Sequence, residues 1–355
     1  MLLRILAPKP PAEGIAGTAI FEDGILAFDI TEGALGGFEV EAADVAITGL
    51  ESREAPKHLS VDLNARHDVE TARELLRGEP LDVLRTDRYD RVSGQVSTRL
   101  QLGRPLSGPD RRLRWEARAE VSDASWPDAP LGFHATEGDF TVEVSPRLFV
   151  FRGTTLADGL PVEIEHRQDL AGGDPALVMD VRARIDEAGL LTVGLPEQSY
   201  LSGTTGLHVR YTRGADDLAD ISAEVDLGDS RLEIAELDWT KPAGQQGRVS
   251  VVARQQTERA WEVERFEVAA ADLRAAGSME FLRDPFQVER LDVPRLGLPD
   301  NEIRVHLHRG EDGVYHLRVS GDRYNLQPPL ERLRRGRERR VVLKGEDAEP
   351  APAPA

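Results

Sequence analysis

Apolar and polar residues alternate without a break from Val96 to Leu102, in the run VSTRLQL. A period of two is typical of a β-strand with one apolar face and one polar face. The same pattern returns along nearly the whole chain and predicts about twenty strands, separated by turn residues. The segment Glu22-Asp23-Gly24 is one such turn, where we expect a β-hairpin.

So many strands exceed what an open sheet holds without curling or splitting, since such sheets rarely pass about ten strands. Two arrangements satisfy this limit: a pair of compact sandwiches whose apolar faces meet, or one continuous sheet curled lengthwise. No Pro/Ser-rich linker near the middle of the chain separates two sandwiches. We therefore predict an all-β fold, in which a long curled antiparallel sheet forms an elongated hydrophobic groove.

Helical spacing interrupts the strand pattern in one place, Asp68–Arg77. Asp68 suits the N-cap position, Gly78 suits the stop, and Pro80 prevents continuation. The sequence thus predicts one short helix near 68–78, and Pro329–Arg340 is a second helical candidate.

The predicted organisation has three parts. Residues 1–13 lead into a β-groove module over residues 14–330. Residues 331–355 contain the basic run Arg332–Arg340, which is expected to be a solvated terminal helix, followed by an acidic, Pro/Ala-rich tail that is expected to be disordered.

The net charge of −19 argues against nucleic acid as a partner, because phosphate binding needs basic stripes. The chain contains no cysteine, which excludes disulfides, thiolate chemistry and cysteine-based metal sites. The N-terminal MLLRILAPKPP is too short an apolar run for a membrane helix and lacks the features of a signal peptide. We expect the chain to be an internal piece of a longer protein, or its true start to lie upstream.

Histidines cluster once, at His306, His308 and His316. A hairpin between them would place all three on one face, with His306 roughly across from His316, and three imidazoles can bind zinc. Arg304 and Arg318 share that face and would repel a cation, and no carboxylate is evident on it. We therefore favour a solvated polar face and predict no metal and no cofactor.

Catalytic motifs are missing from the sequence. The glycine-rich segments Gly33–Phe38 and Ser202–Gly206 lack the Lys-Ser/Thr and the following helix of a P-loop, so we interpret them as turns or bulges. No pair of carboxylates stands out as a general acid/base couple. The sequence predicts a protein that is not an enzyme.

The segment Leu75–Leu106 resembles the helix-then-strand signature of the YhdP-type domain in the AsmA-like superfamily of bridge-like lipid-transport proteins. Similar segments occur at Leu148–Ile164 and Gly321–Leu333, so the resemblance covers most of Gly14–Leu333. The motif residues are Leu75-Leu76, Pro80-Leu81, Val92-Ser93-Gly94 and Pro105-Leu106.

This resemblance implies a β-groove in the periplasm of diderm bacteria, anchored in the inner membrane by an N-terminal helix in the full-length protein. Its expected partners are phospholipid acyl chains and, through regions missing here, the inner and outer membranes; membrane-end protein partners are not identified. The chain departs from the family because the anchor is missing and because it ends in a Pro/Ala stretch. The expected groove lining is Val96, Leu100, Leu102, Leu113, Trp115, Val142, Val144, Val162, Ile164, Leu177, Met179, Val181, Ile185, Leu207, Val209, Val225, Leu227, Ile303, Val305 and Leu307.

Two other functions stay open. The sheet could act as a periplasmic assembly factor that chaperones outer-membrane proteins by strand pairing at its edges. A tandem β-sandwich that binds carbohydrate would need exposed aromatic platforms, and 4 Trp and 5 Tyr supply few of them.

Overall fold

The chain folds as an all-β protein in the computed structural model, which confirms the predicted fold class and the long antiparallel sheet. Two compact units are present. Unit 1 comprises Met1–Arg184 with His208–Ala219, and unit 2 comprises Ile185–Leu207 with Asp220–Ala355. In the part of the chain that the structure describes, eighteen strands belong to one antiparallel sheet and three to a small second sheet. The structure describes residues 12–77, 81–83, 89–109, 112–129, 132–192, 200–214, 216–234, 239–283, 285–299 and 301–323.

Several predicted segments lie outside the described residues. They are most of the N-terminal lead-in (residues 1–11), the predicted helix stop at Gly78 with Pro80, and the C-terminal part from residue 324, which includes the second helical candidate, the basic run and the acidic tail.

The first ten strands form a meander, in which each strand pairs antiparallel with the next one along the chain. Connections of two or three residues join four of the nine successive pairs, including the predicted hairpin at Asp23-Gly24. The strands are β1 (Ala12–Glu22), β2 (Ile25–Leu35), β3 (Phe38–Thr48), β4 (His58–Asp68), β5 (Ser93–Pro105), β6 (Arg114–Trp126), β7 (Ala135–Val144), β8 (Leu148–Ala157), β9 (Leu160–Asp169) and β10 (Leu177–Ile185).

Cross-strand register places the apolar residues of these strands on one face. Leu63 on β4 lies opposite Leu100 on β5, Leu100 lies opposite Ala117 on β6, and Ala117 lies opposite Val144 on β7. Side chains alternate between the two faces of a sheet, so residues two positions away on each strand point to the same face as these apolar partners. We call it the apolar face.

The opposite, polar face carries cross-strand ion pairs. Arg99 binds Asp62 through two hydrogen bonds, Nε–Oδ1 at 2.9 Å and Nη2–Oδ2 at 2.7 Å. Gln101 donates to the same carboxylate, at 2.7 Å. The hydrogen bonds from Arg99 and then Gln101 lower the pKa of Asp62. The exposed positions of Arg99 and Gln101 confirm that this half of the alternating pattern faces water.

Glycines at β-bulges let neighbouring strands approach closely. A Cβ on Gly153 of β8 would lie 1.9 Å from the carbonyl oxygen of Asp139, and a Cβ on Gly17 of β1 would lie 2.1 Å from that of Asp29. The pairing register shifts beside both glycines. Bulges increase local twist and bend a sheet, so these positions curve the sheet of unit 1.

The predicted helix is present as α1 (Val69–Arg77). Its N-cap is Asp68, as predicted, because the backbone N–H of Thr71 donates to Asp68 Oδ1 at 2.7 Å. That hydrogen bond lowers the pKa of Asp68. Leu75 and Leu76 pack against the buried cluster of unit 1, so the helix covers part of the apolar face.

Unit 2 contains a second meander, in which β13 pairs with β16 and each later strand pairs with the next. A short helix that was not predicted, α2 (Glu187–Thr192), is the second of two helices in the described residues. The remaining strands are β11 (Leu201–Gly203), β12 (Thr205–Arg213), β13 (Ala219–Asp226), β14 (Ser230–Ile234), β15 (Trp239–Lys241), β16 (Gly247–Gln255), β17 (Ala260–Ala270), β18 (Leu273–Leu282), β19 (Gln287–Leu298), β20 (Asn301–Arg309) and β21 (Tyr315–Arg323).

The small sheet of β11, β14 and β15 covers part of unit 2. Trp239 packs in a buried cluster with Ala270, Leu273 and Leu298 of the main sheet. Lys241, at the end of β15, is fully buried, and its ammonium donates to backbone carbonyls. Burial lowers the pKa of this lysine, and the nearby Asp226 and Asp229 oppose that shift.

Candidate functional site

An apolar cleft lies in unit 1 between the first five strands. It encloses about 500 Å³ of space not filled by protein atoms, including solvent at its mouth. Its lining contains no charged or polar side chain. The lining residues are Ala12, Ile15, Ile30, Gly33, Ala34, Leu35, Val40, Ala43, Val45, Val61, Leu63, Leu100 and Leu102.

The lining shows that the sheet of unit 1 is curled at this place. Ile15 lies on β1 and Leu100 lies on β5, four strand spacings apart. In a flat sheet, four spacings of ~4.8 Å would separate these residues by about 19 Å. Both line one cleft, so the sheet is concave between β1 and β5.

The two sides of the cleft differ in exposure. Leu63 and Leu100 on its floor are 7 % and 4 % exposed. Ile15 on β1 is 40 % exposed, so the wall formed by the edge of this meander is open to solvent. The cleft therefore combines a buried apolar floor with an apolar wall that is accessible from solvent.

A neutral histidine ends the apolar row of β4. His67 Nδ1–H donates to the carbonyl oxygen of Asp68 at 2.9 Å, which leaves Nε2 to accept from the Thr98 hydroxyl at 2.7 Å. Burial lowers the pKa of His67. The ring packs against Phe38, with centroids 4.2 Å apart. The apolar face thus carries an uncharged polar group here, so no ion faces the cleft from this position.

The chain covers another part of its own apolar face with Tyr89. The Tyr89 ring packs against Trp126 and Phe149, with centroids 5.4 and 5.6 Å away. Its hydroxyl donates to Gln168 Oε1 at 3.2 Å and lies 3.3 Å from His166 Nε2. This part of the face is therefore packed, in contrast to the cleft between β1 and β5.

The predicted lining residues of unit 1 lie on the apolar face with different degrees of burial. Those that are buried are Val96, Leu100, Leu102, Trp115, Val144, Val162, Leu177 and Met179. Those that are half-buried are Val142, Ile164, Val181, Val209 and Leu113, the last of which precedes β6 and packs against the buried cluster. Among them, Leu100 and Leu102 line the cleft.

In unit 2, the predicted lining residues are Ile185, Leu207, Val225, Leu227, Ile303, Val305 and Leu307. Ile185, Leu227 and Ile303 are buried and the others are half-buried. Leu227 follows β13 and differs from the rest, since its carbonyl oxygen accepts a hydrogen bond from Lys241. Leu227 therefore belongs to the group of carbonyls that bind the buried Lys241 ammonium.

Most of the cleft lining was not among the predicted site residues. Ile30, Val40, Val45, Val61 and Leu63 lie on β2, β3 and β4, which show the same alternation as β5. The pattern identifies them as apolar-face residues. The alternation does not show that the cleft lies over these strands and not over β6 to β10, because the position of the cleft depends on the curvature of the sheet.

A second depression lies on the polar face of unit 1, with about 1050 Å³ of wide-open space. Arg66, Glu120 and Arg152 are among its lining residues. Arg66 pairs with Glu41 at 2.8 Å, and Thr141 donates to Glu120 at 3.2 Å. These pairings resemble those along the rest of the polar face, and this depression is no candidate for an apolar ligand.

The β20–β21 hairpin exposes apolar side chains in unit 2. Leu317 and Val319 are 63 % and 47 % exposed, opposite Leu307 and Val305. On the other face of the hairpin, the predicted pairing of His306 with His316 is wrong. His308 lies opposite His316, since the strands pair two residues out of the expected register.

Comparison with known protein families, with curated proteins and with solved structures finds no match for this chain. The resemblance to AsmA-like proteins therefore rests on the sequence motifs alone. Within the described ranges, no helix is both long and apolar enough to cross a membrane. As placed in this part of the chain, no three His, Asp or Glu side chains form a metal site.

Proposed function

We propose that this chain is a non-enzymatic, lipid-conducting β-groove module whose apolar faces hold phospholipid acyl chains. The observation that carries the proposal is the cleft of unit 1. Its floor is buried and apolar, its β1 wall is open to solvent, and its lining contains no charged or polar side chain. A hydrocarbon chain is the ligand class that such a surface stabilises.

The energetics of transfer favour this function. Moving an acyl chain of ~16 methylenes into water costs about 13 kcal/mol, at about 0.8 kcal/mol per methylene. A face that stays apolar from strand to strand removes most of that cost at each position. Ion pairs such as Arg99–Asp62 keep the charged groups on the opposite face, where a polar headgroup and water can remain.

The resemblance extends the proposal to a location and a route. If the resemblance to AsmA-like proteins holds, the protein acts in the periplasm of a diderm bacterium and carries phospholipid between the inner and outer membranes. The full-length protein would be anchored in the inner membrane.

Crosslinking from β1 tests the cleft with a matched control. A photo-crosslinking amino acid replaces Ile15, which lines the cleft, or Ile20, which lies on the same strand and is 62 % exposed. Ile20 lies opposite Ala27, on the other face from the Ala19–Phe28 pair. Both positions are exposed, so neither replacement removes a buried side chain. After incubation with vesicles of a C16 diacyl phospholipid and irradiation, mass spectrometry identifies the adducts.

We expect a phospholipid adduct at Ile15 and none at Ile20. Equal capture at the two positions would indicate non-specific adsorption, and no capture at Ile15 would indicate that the cleft does not hold acyl chains. Either result refutes the proposal.

An assembly role by strand pairing is the second candidate function. The observation in its favour is β21, on which every residue is exposed, including the apolar Leu317 and Val319. A strand with an accessible edge is a template for β-augmentation. Crosslinkers at Leu317 would capture an unfolded outer-membrane protein under this hypothesis, whereas the lipid hypothesis predicts no such adduct.

A further inference from the structure

Three of the eight histidines lie on one face of the β20–β21 hairpin. His308 is the cross-strand partner of His316, and their ring centroids are 4.8 Å apart. His306 is two residues from His308 on β20, with centroids 5.9 Å apart. All three side chains are exposed. Individual Arg–carboxylate ion pairs occur at other exposed positions of unit 2, whereas this part of the hairpin groups three imidazoles.

We propose that His306, His308 and His316 bind a divalent first-row transition-metal ion of the Zn²⁺ class. In the described conformers the rings of His308 and His316 are stacked, with planes 13° apart, so their nitrogen lone pairs do not converge. Metal binding therefore requires other χ1 and χ2 rotamers, which solvent-exposed side chains adopt rapidly. Cβ atoms of directly opposite residues lie ~5 Å apart and diagonal ones ~7 Å. Three imidazoles at these spacings can converge on an ion with metal–nitrogen distances of about 2.0–2.1 Å.

Two of the arginines around the trio have carboxylate partners. Arg304 Nη2 lies 3.3 Å from Asp322 Oδ2 on β21. Arg290, the cross-strand partner of His308 on β19, lies 3.9 Å from Glu280 Oε1. The repulsion that the sequence predicts between a metal ion and this face is thereby reduced, since these cations already interact with anions.

A carboxylate also lies on this face, contrary to the sequence-based prediction. Asp292 on β19 is the cross-strand partner of His306. Three imidazoles and one carboxylate complete a four-coordinate set that Zn²⁺ accepts. Arg318, opposite His306 on β21, is the cation that opposes binding, so we expect moderate affinity.

Isothermal titration of the full chain with ZnCl₂ in a non-chelating buffer at pH 7.5 tests the site. We expect one ion per chain with a Kd on the order of 10 μM. His308→Ala should weaken binding at least tenfold. The matched control is His58→Ala, which removes an exposed histidine of β4 and should leave the Kd unchanged.

A second readout separates a real site from loss of folding. Urea midpoints of the variants, compared with the parent chain, show whether the hairpin is intact, and His316→Gln supplies an independent removal. With Cu²⁺ as probe, the electron paramagnetic resonance spectrum should show several imidazole nitrogens, and fewer in each variant. Binding weaker than about 1 mM, an equal effect of His58→Ala and His308→Ala, or a Cu²⁺ spectrum with a single imidazole would overturn the proposal. The metal site is independent of lipid binding, so His308→Ala should not alter crosslinking at Ile15.

Discussion

Removal of the Lys241 ammonium should destabilise unit 2 strongly. Lys241 is 0 % exposed, and its Nζ donates to the carbonyl oxygens of Leu227 at 2.6 Å, Ser230 at 2.7 Å and Pro242 at 3.3 Å. These hydrogen bonds connect Lys241, at the end of β15, with the chain at the start of β14. Lys241→Met keeps the unbranched side chain up to the position of Cε and removes all three N–H donors.

The expected loss follows from the two short hydrogen bonds. Charge-assisted hydrogen bonds contribute roughly 1.5–3 kcal/mol each, which gives about 3–6 kcal/mol for the pair. Two effects favour the lower end. Burial lowers the pKa of Lys241, so desolvation of the ammonium already opposes folding. The Leu227 carbonyl also keeps a second donor, the Ser230 N–H at 3.2 Å. We therefore expect the free energy of unfolding to fall by about 3 kcal/mol.

Pulsed hydrogen–deuterium exchange across a urea series, read by mass spectrometry on peptides from β14 and β15, measures this loss locally. With a urea slope of about 2 kcal/mol per molar, the midpoint should fall by about 1–2 M. The matched control is Lys57→Met, because the Lys57 ammonium is exposed and contacts one carbonyl at 3.4 Å. If Lys241→Met shifts the midpoint no more than Lys57→Met, the buried carbonyl site does not stabilise the unit.

Two further predictions concern unit 1. The pKa of His67 is lower in the folded than in the unfolded protein. The contribution of neutral His67 to the free energy of unfolding is therefore fully present above the unfolded-state pKa of ~6.5 and is lost as the pH falls below that value. The stability gap between the parent and His67→Gln should therefore narrow from pH 7 to pH 5 in urea titrations, and a constant gap would contradict this. Gly153→Val should cost about 3 kcal/mol, because its Cβ would meet the Asp139 carbonyl. Thermal unfolding of Gly153→Val against Gly103→Val measures that cost, because a Cβ on Gly103 would lie 3.5 Å from the Leu59 carbonyl oxygen, an ordinary contact distance.

The alternation of Val96–Leu102 was sufficient to predict a strand and the two faces it presents. Leu100 and Leu102 are buried, and Arg99 and Gln101 are exposed. The N-cap at Asp68 and the hairpin at Asp23-Gly24 are equally local, since each depends on residues within a few positions in the chain. Such features are set by backbone geometry over short distances, and the sequence shows them directly.

The predicted site was less complete, because it depends on contacts between distant residues. Ile15 and Leu100 line one cleft only because bulges beside glycines such as Gly17 curl the sheet. A bulge shifts register by one residue and leaves little trace in a period-two pattern. The pairing of His308, and not His306, with His316 has a different cause, because it is set by the five-residue connection between Arg309 and Tyr315.

The sequence by itself determined that this chain forms strands with an apolar and a polar face, because side-chain alternation is a property of every extended backbone. The tertiary structure alone decided where the apolar face opens into a cleft, which part of it Tyr89 covers, and that Lys241 is buried. Those outcomes depend on register, curvature and the position of the small sheet. All three are set by long-range pairing, for which no single segment of the sequence carries the information.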